Sequence, residues 1–109
     1  MAGLRSPHAP WSCLPEFYDM YDPAGVANAK HPTFPPTAPD IAWIHNFGVK
    51  DAAGKSYSWN RTTPVPHDIE ALNRRAYYAC VSMADYLLGT VMEEAKKLGV
   101  WNDTITVFQ

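Results

Sequence analysis

R-R-A-Y-Y-A-C-V-S-M-A-D-Y-L-L-G-T-V-M-E-E-A-K-K-L-G-V-W-N-D-T-I-T-V-F, residues Arg74 to Phe108, holds one long helical pattern and one short strand pattern in succession. The apolar positions Ile69, Leu72, Ala76, Cys80, Met83, Leu87, Val91, Ala95 and Leu98 advance by three or four, the period of a single helical face. A second row through Tyr77, Val81, Ala84, Leu88 and Met92 widens that face beyond one stripe. Pro64 and Pro66 suit the entry, and Asp68 and Glu70 suit the positive N-terminal end. Lys96 and Lys97 suit the negative C-terminal end, with Gly99 as the residue just past the stop. These signals predict a helix over about residues 67–98, roughly 48 Å long.

After a loop of about five residues, Thr104-Ile105-Thr106-Val107-Phe108 alternates in the manner of a strand. A strand needs neighbours for its backbone groups, and a face this wide needs a sheet beneath it. The predicted class is therefore α/β, an incomplete piece of a larger sheet-and-helix architecture. In open α/β sheets the ligand site lies beyond the carboxyl ends of the strands. A chain that ends at Gln109 is expected to stop short of such a site.

Upstream, the composition changes abruptly. All 10 prolines lie at or before Pro66. Their density from Pro7 to Pro39 forbids a long helix or a central strand. Only Glu16 to Tyr21 suggests a helical turn, with Phe17, Met20 and Tyr21 on one face. Ile41 to Asn60 mixes Trp43, Ile44, Phe47, Tyr57 and Trp59 with Gly48 and Gly54. It reads as an irregular excursion with a few buried aromatics, draped over something larger than itself. Two regions follow: a Pro-rich segment, 1–66, and a helix–strand unit, 67–109.

At 109 residues, 47% hydrophobic and 18% charged, the composition is that of a folded chain. The net charge of −2 and the absence of a basic stripe imply neither nucleic acid nor an anionic membrane as partner. No apolar run approaches the ~18 residues of a membrane span. The N-terminus, Met1 to Pro7, lacks the apolar core of a signal peptide, so no compartment is assigned. Cys13 and Cys80 fall in different kinds of structure, without redox or zinc spacing, and read as two unpaired thiols, Cys80 within the helix core. His31, His45 and His67 show no ligand spacing. Ser82 and Asp85, three apart on the helix, lack the base and oxyanion donors of a nucleophilic site and read as bridging residues. Arg74 and Arg75 are expected to pair with Glu70 or to face solvent. Asn60-Arg61-Thr62 and Asn102-Asp103-Thr104 are glycosylation sequons, meaningful only in a secretory lumen.

The form R-x-x-Y-x-A-x-V-S-x-x-D-x-x-x-G, met by Arg74, Tyr77, Ala79, Val81, Ser82, Asp85 and Gly89, followed by T-I-x-x-F at Thr104, Ile105 and Phe108, resembles a segment of type I sulfatases in the alkaline phosphatase superfamily. Pro64-Val65-Pro66 is similar to the entry of this helix in iduronate-2-sulfatase-like members. Gly3-Leu4-Arg5-Ser6-Pro7-His8-Ala9-Pro10-Trp11 resembles the family's G-x-x-[KR]-P-H-x-P-[FW] segment, and Glu16 to Tyr21 matches the short aromatic helix after it. The two motifs cover almost the whole chain, which the resemblance makes a partial sulfatase domain.

The resemblance implies a parent that hydrolyses sulfate esters, of a carbohydrate or a small organic molecule, with a formylglycine made from C/S-x-P-x-R and a bound calcium ion. Neither is expected in this chain. Cys13 is followed by Leu14-Pro15-Glu16 without the arginine, and the family's D-H-G or D-N-G metal turn has no counterpart. His8 corresponds to the histidine that contacts the sulfate, a sensible donor to a developing oxyanion. Ser6 stands where the family has Lys or Arg, with Arg5 displaced by one position. The expected function is that of a sulfatase segment, inactive alone and prone to self-association through the uncovered helix face. The alternatives are a segment of a phosphodiesterase-type relative and a non-enzymatic chain. In the latter, Pro7-His8-Ala9-Pro10 or Pro36-Thr37-Ala38-Pro39 would dock an aromatic groove.

Overall fold

A computed structural model describes residues 3–27, 29–43 and 50–107. Its axis is α2, His67–Lys97, 31 residues long and so about 46 Å from end to end. The helix begins where the proline run ends. Glu70 N donates to Pro66 O at 2.9 Å as the first helical bond, and Asp68 and Glu70 occupy the first turn. At the other end Val100 N reaches Ala95 O at 3.1 Å and Gly99 N reaches Lys96 O at 3.0 Å. These are the paired 6→1 and 5→2 bonds of a Schellman ending. Gly99 sits at φ +70, where a side chain would be strained. The helix matches its predicted bounds to within one residue.

The Pro-rich segment lies along the first half of α2. Its short α-helix, α1 (Pro15–Tyr18), is shorter than the expected 16–21 turn. Phe17 meets Tyr86 with ring centroids 5.6 Å apart, and Tyr21 meets Tyr78 at 5.6 Å while sharing a 2.5 Å hydroxyl bond with Ser82. Met20, expected on the same face, is exposed instead. Arg75 joins α1 to α2. Its Nε donates to Tyr18 O at 3.0 Å and its guanidinium lies 3.9 Å over the Tyr18 ring.

Small residues make this close approach possible. Ala71, Ala79, Cys80 and Ala84 are buried on α2 beside Ile69, and Val26 is buried from the strap. Beyond them the cover stops. Leu87 is 40% exposed, Val91 53% and Leu98 69%, so the second half of the apolar stripe faces open space. The radius of gyration is 17.9 Å, against about 13 Å for a compact chain of this length.

The middle segment is held by local devices. Asp51 Oδ1 accepts from Ala53 N and Lys55 N, closing a turn whose ends form an isolated antiparallel bridge, Lys50 to Ser56. Asn73 pins that turn to α2, donating to Lys50 O at 2.9 Å. Phe34, Trp43 and Trp59 contact edge to face, with Arg61 stacked over Phe34 and Trp43 and ion-paired to Asp40. Of the apolar residues named in this excursion, Ile44 and Phe47, with their neighbours through Val49, lie outside the described residues.

The predicted strand is a correction. No strand is formed among the described residues, and the class they show is helical. A 3-10 turn, Trp101–Asp103, leads to Thr104 in an extended conformation. The chain then continues through Ile105 and Val107 with both side chains exposed; Phe108 lies outside the described residues. The sequence pattern supplies a strand's side chains, and no described segment supplies the backbone partners that would make it one.

Candidate functional site

The turn Arg5 to His8 is closed by His8 N donating to Arg5 O at 2.9 Å. Ser6 sits inside it and points to the helix, where its Oγ donates to the Cys80 carbonyl at 3.1 Å. This short hydroxyl anchors the turn to the backbone of α2. Ser6 is thus a tether, while Arg5 and His8 are exposed on the turn's outer side.

His8 Nδ1 lies 2.6 Å from Ala9 O. A carbonyl only accepts, so the contact is a hydrogen bond in the form of the ring that carries a proton on Nδ1. The imidazole is held by its own backbone and presented outward, an arrangement able to meet an anionic group arriving from outside the strap.

Beside the turn a cleft of about 330 Å³ opens between the strap and the first turns of α2, lined by Trp11, His31, Trp59, Glu70, Arg74 and Tyr77 among others. Trp11 meets Tyr77 edge-on at 6.0 Å. Arg74 pairs with Glu70 at 2.6 Å and donates to Ala27 O at 2.8 Å. Glu70 Oε1 is shielded from solvent and meets Arg74 as an ion pair off the direction of a hydrogen bond. The cleft was not foreseen in the sequence, although the Glu70–Arg74 spacing of four was a signal for its floor. His8 is not among its lining residues.

Arg75, expected with Glu70 or in solvent, instead holds α1. Ser82 bridges to Tyr21, as a packed helix residue would, and Asp85 is exposed. Asn60 is exposed, and its Oδ1 accepts from Thr62 N, Thr62 Oγ1 and Thr63 N. Asn102 is exposed within the turn that follows α2. His31 and His67 lie in separate exposed segments, and His45 is outside the described residues.

Among the described residues no three His, Cys, Asp or Glu side chains cluster as metal ligands. A calcium ion takes several converging oxygen ligands, and no group of carboxylates of that kind is among the described residues. No helix of the described residues is long and apolar enough to cross a membrane.

Cys13 and Cys80, far apart in sequence, are brought close enough for their thiols to interact. Cys80 is buried on α2 and Cys13 half-buried on the strap. Burial first, then the adjoining Cys80 thiol and Glu16, push the Cys13 thiol above the ordinary cysteine range.

Over 97% of its length the chain is 28% identical to iduronate 2-sulfatase of Mus musculus, and to the same extent to iduronate 2-sulfatase of Homo sapiens. It spans 20% of the length of these curated relatives. The similarity supports a partial relationship to sulfatases. No family model matches the chain, and no solved structure matches it.

Proposed function

We propose that this chain is one segment of a sulfatase-type hydrolase, the part that brings a histidine-bearing turn and a long supporting helix to a sulfate-ester site. The observation that carries this reading is the similarity to iduronate 2-sulfatase along 97% of the chain. The exposed His8 turn and the bare second half of α2 agree with it. The first carries an exposed imidazole, a group able to donate to an anion, and the second is an apolar stripe of the kind a sheet covers in a layered α/β domain. In the complete domain, Leu87, Val91 and Leu98 pack against that sheet, and Thr104 to Phe108 joins it as a strand. His8 donates from Nε2 to the ester's sulfate group. The reacting nucleophile and the calcium ion belong to other parts of the domain, and the substrate is a sulfated carbohydrate or a small organic sulfate.

The test is the full-length transcript that contains this chain. The expected reading frame has a C/S-x-P-x-R motif upstream of Gly3 and a D-H-G or D-N-G turn shortly after Phe108. Its product hydrolyses an aryl sulfate in the presence of calcium, whereas the 109-residue chain alone does not. A transcript with neither motif in frame, or turnover by the 109-residue chain alone, would overturn the reading.

A further inference from the structure

We propose that Cys13 and Cys80 form a reversible disulfide clasp that locks the strap bearing the His8 turn onto α2. The geometry around the pair argues for this independently of the sulfatase reading. Ser6 holds the Cys80 carbonyl itself at 3.1 Å. Trp11, two residues before Cys13, is seated on Tyr77, and Phe17, four residues after it, on Tyr86. The contacts on either side of Cys13 thus bracket Cys80 on the helix. Both thiols are free, and no metal-ligand cluster among the described residues claims them. Cys80 is 1% exposed and Cys13 half-buried, so reagents reach the pair through Cys13.

The oxidant is a small disulfide such as oxidised glutathione. The Cys13 thiolate attacks one of its sulfurs, forming a mixed disulfide and expelling one glutathione thiolate. The Cys80 thiolate then attacks the Cys13 sulfur, and the second glutathione thiolate leaves. The two protons lost by the protein thiols are taken up by the two glutathiones. The raised pKa of Cys13 makes the first step slow near neutrality and faster as the pH rises. The bond closes the long loop between the strap and α2, the case in which a cross-link restricts the unfolded chain most.

The experiment equilibrates the full 109-residue chain in buffers of varied reduced-to-oxidised glutathione ratio, followed by intact mass and peptide mapping without reductant. The expected product is lighter by two hydrogens, gives a single linked peptide pair containing Cys13 and Cys80, and melts about 15 °C above the reduced chain. In Cys80→Ser, Cys13 is expected to stop at the glutathione adduct. In Cys13→Ser, buried Cys80 is expected to stay unmodified. The wild-type map decides the matter even if a variant fails to fold. Glutathione on both cysteines, bridges only between chains, or a bridged chain with an unchanged melting temperature would each overturn the clasp.

Discussion

Arg75 shows how one side chain can set the position of a segment. It gives a hydrogen bond to Tyr18 O, stacks over the Tyr18 ring and lies 3.5 Å from Asp19. Arg75→Ala is expected to cost about 1–2 kcal/mol in urea unfolding. Arg75→Lys recovers little of this, because an ammonium lacks the planar fork and the stacking face. Cys13 gives a pH signature. Its proton is held more tightly in the folded chain than in the unfolded one. The contribution to stability is therefore complete below the unfolded thiol's pKa and is lost as the pH climbs from that value towards the raised folded one. Under reducing conditions, thermal melts of the wild type should decline along this alkaline limb more steeply than melts of Cys13→Ser. Neither partnership was legible in the sequence. Tyr18 with Arg75, and Cys13 with Cys80, are joined by the path of a proline-rich strap, and proline spacing forbids regular structure without saying where the chain goes instead. Ser6 escaped for a related reason. Its hydroxyl was weighed against a basic residue in a site, and its partner proved to be a helix carbonyl.

At the scale of elements, α2 was legible because period, entry prolines, end charges and Gly99 all specify the same bounds. Two glycines test this. Gly99, at φ +70, ends the helix, and Gly99→Ala is expected to lower stability by about 1 kcal/mol. Gly89 lies inside the helix, and a Cβ built there meets nothing within 4 Å. Gly89→Ala should raise the stability of the chain alone by about 0.5–1 kcal/mol, read as a higher midpoint in a helix-monitored melt. The strand expected at Thr104 to Phe108 is not formed among the described residues, for the opposite reason. Helical hydrogen bonds are internal to their segment, so a helix follows from its own residues. A strand borrows half its bonding from elsewhere, and alternating side chains cannot reveal whether a lender is present.

At the scale of the whole molecule, the burial is one-sided. The strap covers α2 from Ile69 to about Ala84, and the exposed Leu87, Val91 and Leu98 then continue the same stripe uncovered. Apolar surface of this kind drives association. The chain alone should sediment as concentration-dependent oligomers, and Leu87→Glu with Val91→Glu should return it to a monomer while its helical signal persists. A monomer at all concentrations before substitution would show that the face needs no cover. The half-covered helix also gives the chain two different clocks. Amides of its first half open only when the strap lifts, whereas those from Leu87 onward exchange through local fraying at far lower free energy. In a cell, that second half is the part expected to be gripped by chaperones and cut first by proteases. The survival time of the polypeptide then becomes a measure of whether its stripe has found a cover.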